Sequence, residues 1–134
     1  MNLTSILFIS YLSLSSLFTS TPEATRESYH LEFERIDNRV EVWVGDSLIY
    51  NSGIVRQNPK DLGIKVYIDD LLLEESNELT VKLINGLDGA KDGDDIHWEV
   101  KYILFKGEKL YEYLWEEADD GRVGVVIEET YILE

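Results

Sequence analysis

The sequence predicts an all-β chain, a single antiparallel β-sandwich of jelly-roll-like type with seven to nine strands. Three observations lead there. Apolar and polar residues alternate with a period of two along most of the chain after residue 22. Turn signals recur roughly every 8–12 residues, the spacing of a sandwich or barrel. No amphipathic stretch of about 10 residues or more separates the strands, as a parallel α/β sheet would require.

The elements follow in order. Leu31, Phe33 and then Ile36 mark a first strand, with Glu32, Glu34 and Arg35 between them, and Asp37-Asn38 signals a turn. Val40, Val42 and Val44 alternate with Glu41 and Trp43, Gly45-Asp46 ends that run, and Leu48-Ile49-Tyr50 pairs back as a hairpin. Asn51-Ser52-Gly53 turns again, and Gln57 to Gly63 reads as a loop. Ile64, Val66 and Ile68 alternate, Asp69 to Asn77 holds one short helical turn, and Leu79, Val81 and Leu83 give the next strand. An acidic, Gly-rich loop runs from Asn85 to Asp95. Ile96, Trp98, Val100 and Tyr102 then alternate, and Lys106-Gly107-Glu108-Lys109 is a hairpin turn. Leu110, Glu112 and Leu114 face opposite to Tyr111, Tyr113 and Trp115. Asp119-Asp120-Gly121 turns once more, and Val123, Val125 and Ile127 open a strand that runs through Tyr131 and Ile132.

Composition bounds the function. The chain has 134 residues, with 12 basic and 27 acidic side chains for a net charge of -15. That excludes a nucleic-acid binder, which needs a basic surface for phosphate. Apolar residues at 44% and aromatics at 11% are too many for a disordered chain. With no Cys there is no disulfide, thiolate metal site or cysteine nucleophile.

Residues 1–21 read as a signal peptide, and residues 22–134 as the β-sandwich domain. Ile6 to Phe18 form an apolar run broken by Ser10, Ser13, Ser15 and Ser16, the length of a signal-peptide core and short for a membrane span. The small residues from Thr19 to Ala24 are the cleavage zone, although no Lys or Arg precedes the run. The expected localisation is therefore secreted or periplasmic, with no membrane association after cleavage. All the charge lies after Pro22. Such a domain favours cationic partners or divalent ions.

The run from Val40 to Asn85 resembles galactose-binding-like β-sandwich (jelly-roll) domains. The resemblance rests on Val40-Glu41-Val42-Trp43-Val44-Gly45-Asp46, on Val66-Tyr67-Ile68-Asp69-Asp70-Leu71-Leu72, and on Ser76-Asn77-Glu78-Leu79-Thr80-Val81-Lys82-Leu83-Ile84-Asn85. It departs from the pattern at Glu75-Ser76, where a Gly is expected before Asn77. The resemblance implies sugar binding or a non-catalytic accessory role, often with a structural calcium ion.

Candidate chemistry falls in two places. Asp88, Asp92, Asp94 and Asp95 lie within one loop beside Gly86, Gly89 and Gly93, so carboxylates and turned carbonyls together suit calcium. Lys91 sits inside the cluster, and the spacing is not that of an EF-hand. The strand aromatics Trp43, Trp98, Trp115, Tyr111 and Tyr113, with Tyr102 beside them, suit a sugar platform, because sugar rings stack on flat aromatic faces. Trp43 points outward if Val40, Val42 and Val44 point inward. His30 and His97 lie far apart in sequence, no nucleophile-elbow or zinc-protease motif occurs, and Glu116-Glu117 with Asp119-Asp120 reads as an acidic turn. The expectation is a non-enzymatic exported binding module for carbohydrate. The alternatives are an acidic protein-interaction or inhibitor domain with a basic partner, and a calcium-stabilised structural domain.

Overall fold

The computed structural model of the chain describes residues 27–55 and 61–134. The signal peptide expected over residues 1–21 lies outside them, as do residues 57–60 of the loop expected from Gln57 to Gly63. Among the described residues there are eight strands and one short helix. They are β1 (Tyr29–Asp37), β2 (Arg39–Val44), β3 (Ser47–Asn51), β4 (Ile64–Tyr67), α1 (Asp70–Glu75), β5 (Glu78–Asn85), β6 (Trp98–Lys106), β7 (Lys109–Ala118) and β8 (Gly124–Ile132). Two four-stranded sheets result, ordered β4-β1-β6-β7 and β3-β2-β5-β8, and every pairing is antiparallel. This is the all-β antiparallel sandwich that the alternation predicts. The hairpins β2-β3 and β6-β7 stay within a sheet, and each of the other five connections passes between sheets.

The alternating residues make the core. Leu31, Phe33, Val100, Tyr102 and Leu104 from one sheet meet Val40, Val42, Leu79, Val81 and Leu83 from the other, all fully or almost fully buried. At about 1.5–3 kcal/mol for each large apolar side chain removed from water, this interior holds the layers together. Tyr29 is buried beneath the chain terminus, where its hydroxyl donates to the Glu134 carbonyl at 2.8 Å. Tyr102 and Tyr131 join their hydroxyls at 2.7 Å, and burial pushes the Tyr102 phenol far up.

Bulges explain where simple alternation slips. The register shifts between Phe33 and Arg35, so Ile36 rather than Arg35 returns to the core. A second shift between Leu83 and Ile84 leaves Ile127 buried and Val125 exposed. Helix α1 starts where Asp69 accepts the Leu71 N–H at 2.8 Å, an N-cap bond.

The acidic loop is clamped at both ends. Asn85 is buried, and its side-chain amide donates to the carbonyls of Asp95 at 3.0 Å and Arg122 at 2.8 Å. Gly86 follows with φ +84°, and a Cβ there would lie 3.0 Å from Ala90 and 3.1 Å from Val123, so only glycine fits. No helix among the described residues is long and apolar enough to cross a membrane.

Candidate functional site

Period two dictates what the outer faces carry. Because Leu31, Phe33, Val100, Tyr102 and Leu104 point inward, His30, Glu32, Lys101, Ile103 and Phe105 point out from the β4-β1-β6-β7 sheet. The register aligns these residues in rows across the strands. Tyr67, His30, Phe105 and Leu110 form the first row, and Lys65, Glu32, Ile103 and Tyr113 the second. Arg35, Lys101 and Trp115 form the third, and Asp37, Glu99 and Glu117 the fourth. The face therefore grades from aromatic at one end to acidic at the other.

The aromatic end is ordered and open. The His30 ring stacks on Phe105 at 4.8 Å between centroids, with Tyr67 at 5.4 Å on its other neighbour strand. Tyr67 is 69% exposed, Leu110 61%, Trp115 51% and Tyr113 48%. Trp115 is held in place while half of it faces solvent. Its indole N–H donates to Glu99 Oε2 at 3.1 Å, and the Lys101 ammonium lies 5.1 Å from its ring centroid. Lys101 is itself anchored to Glu34 at 2.7 Å, and that carboxylate raises its pKa.

The acidic end closes on a histidine. His97 stands just before β6 and Asp119 just after β7, beyond the Trp98–Ala118 pair. Alternation puts His97 on the face of Glu99, and Asp119 on the face of Glu117. His97 Nδ1 and Asp119 Oδ1 are 2.6 Å apart, and this hydrogen bond is the main reason the imidazole pKa is raised. One ligating atom each from His97, Glu99 and Glu117 lie within 4.8 Å of one another. Glu99 is buried and also meets the Arg35 guanidinium at 3.4 Å. Burial raises the Asp37 carboxyl pKa, and the charges of Asp95 and Glu99 raise it further.

The other sequence-predicted residues fall elsewhere. Trp98 is a core residue, not part of an open platform. It is 3% exposed, and its indole N–H donates to Asp120 Oδ1 at 2.9 Å. That bond and the Arg122 contacts hold the Asp120 carboxyl down at about 2. Tyr111 is also off the platform. A register shift between Leu104 and Phe105 turns it onto buried Tyr29, with ring centroids 5.5 Å apart and edge-to-face. Trp43 does point outward, but from the β3-β2-β5-β8 sheet, so it does not join Tyr113 and Trp115. Its indole N–H donates to Glu41 at 3.1 Å, and the Lys82 ammonium sits 5.4 Å from its ring.

Asp88, Asp94 and Asp95 of the acidic loop line one surface pocket, but they are not in the described group whose ligating atoms gather within 4.8 Å. Asp94 accepts the Lys91 N–H at 2.8 Å and Asp92 accepts the Val123 N–H at 3.1 Å, so both stabilise the loop's own path. Asp88 and Asp95 join neither bond. Among the described residues, the convergent metal-ligating group is His97, Glu99 and Glu117 instead. His30 and His97 lie at opposite ends of β6.

Sequence reasoning missed Tyr67 and Phe105 on the aromatic end, and Glu99 and Glu117 on the acidic end. The hairpin turn at Gly107-Glu108 signals that the start of β6 meets the end of β7, but the register shift between Leu104 and Phe105 is what makes Glu117 the partner of Glu99. No family model, no curated protein and no solved structure matches the chain.

Proposed function

We propose that the chain is an exported, non-catalytic binding module that takes carbohydrate on the outer face of its β4-β1-β6-β7 sheet. The observation that carries the reading is the open aromatic pair Tyr113 and Trp115 on β7, two residues apart and on one face. Sugar rings present C–H faces that stack on such side chains, and their hydroxyls seek carboxylates. Glu117 lies in the next row to supply one. Trp115 is already fixed by Glu99 and Lys101, so little ordering opposes binding. The apolar leader read over residues 1–21 supplies the export half of the proposal.

Titration calorimetry against a panel of soluble oligosaccharides tests it. One class of glycan should give heat, and Trp115→Ala and Tyr113→Ala should each weaken it at least tenfold. Trp43→Ala, on the opposite sheet, should change affinity less than twofold. Absence of heat with every glycan, or a loss at Trp43 that exceeds the loss at Trp115, would remove the reading.

A further inference from the structure

We infer that His97, Glu99 and Glu117 form a binding site for a divalent transition metal of the zinc class, with Asp119 as the residue that orients the imidazole. The site shares Glu117 with the proposed sugar face, and Glu99 also holds the Trp115 indole, but metal binding is read without any sugar present.

The geometry carries the inference. Three side chains of two ligand types bring their donor atoms within 4.8 Å of one another. Zinc binds nitrogen and oxygen at about 2.0–2.2 Å, so closing the set needs shifts on the order of 1 Å. The His97 side chain is 41% exposed and Glu117 is exposed, so both have the freedom to make them. Glu99 is the fixed wall of the site, buried and held by Arg35 and Trp115.

Two further features point to a cation with imidazole affinity. The Asp119 carboxylate on Nδ1 is the arrangement that orients metal-bound histidines and raises their basicity, leaving Nε2 as the ligating atom. Glu99 and Glu117 stand directly opposite each other across β6 and β7, with Asp37 opposite Glu99 on the β1 side. Like charges so placed destabilise a sheet. Arg35 meets Glu99 of this row at 3.4 Å. An imidazole with two carboxylates suits Zn²⁺ better than Ca²⁺, which takes six to eight oxygens.

Zinc chloride titrated into the full chain at pH 7.5 and 0.15 M NaCl tests the site. Calorimetry should show one equivalent of Zn²⁺. His97→Ala should weaken binding at least tenfold, and Asp119→Asn should weaken it roughly 10- to 100-fold while leaving the three ligands in place. Zinc affinity unchanged in His97→Ala would reduce the effect to diffuse attraction by the acidic surface and overturn the proposal. A second readout needs no variant. In NMR spectra, zinc should move the ring signals of His97 and leave those of His30, at the far end of β6, in place. Movement of both, or of neither, would also overturn it.

Discussion

The outer faces of the two sheets arise from the same alternation, yet they are finished differently. On β3-β2-β5-β8 the side chains close on one another. Lys82 meets Glu128 at 3.9 Å, Arg39 meets Glu41 at 3.9 Å, and the hydroxyls of Thr80 and Thr130 share a hydrogen bond at 2.9 Å. Trp43 is capped by Glu41 and Lys82, and the exposed apolar residues Leu48, Val125 and Ile132 sit on the two edge strands. On β4-β1-β6-β7, apolar and aromatic side chains cross all four strands in one row, and carboxylates gather in another. A face that meets only water can satisfy its polar groups with cross-strand partners. Contiguous open aromatics and like charges in register are the features on which the proposed binding surface rests.

The largest expected effect separates both faces from the interior. Trp98→Ala should cost about 3–5 kcal/mol in urea denaturation, because it empties a buried site. Trp43→Ala, outside the sandwich, should cost about 1 kcal/mol or less, the value of its one hydrogen bond. Similar midpoints for the two variants would erase the distinction between interior and face.

The next effect compares ion pairs across the two faces. Arg35→Met leaves the buried Glu99 carboxylate without its guanidinium and should cost about 1–3 kcal/mol. Lys82→Met removes a partner of exposed Glu128 and should cost less than about 0.5 kcal/mol. Equal losses would mean that the acidic row is as freely solvated as the ladder opposite.

The smallest effect is confined to low pH, at the end where Trp98 meets the turn after β7. Asp120 sits at about 2, below its ordinary 3.8, so the native state favours its charged form. Its contribution is present above about pH 4 and is lost as pH falls toward 2. The stability gap between the native sequence and Asp120→Asn should therefore hold steady from pH 7 to 4 and narrow below that. A gap that does not change with pH would break the assignment.

Much of this was legible in the sequence. Val40, Val42 and Val44, and Leu79, Val81 and Leu83, alternate without interruption, and each is buried as alternation requires. The short helix after Asp69 and the turn at Gly107 follow from local chemistry. What escaped depends on register. A bulge in the β6-β7 hairpin shifts the pairing by one residue, and one residue exchanges the faces. That shift sends Tyr111 inward and makes Glu117, not Glu116, the partner of Glu99. Pairing counted straight from the Gly107 turn misses it. Trp98 is a different case. It alternates with Val100 and Tyr102, so the reasoning that turns Trp43 outward turns Trp98 inward, where its indole N–H meets Asp120.

Strand β7 also has a consequence for how this chain tolerates crowding. Among the described residues, its ten residues lie at the border of a sheet, with one row of peptide groups lacking a neighbouring strand. Such a border invites a second molecule to extend the ladder. Glu112, Glu116 and Glu117 sit on it, and two copies brought side by side would set those carboxylates against each other. The guard is electrostatic and can be switched off. Acidification through the carboxylate range should turn a clear concentrated sample turbid, whereas exchanging the three for Gln should bring the same clouding at neutral pH.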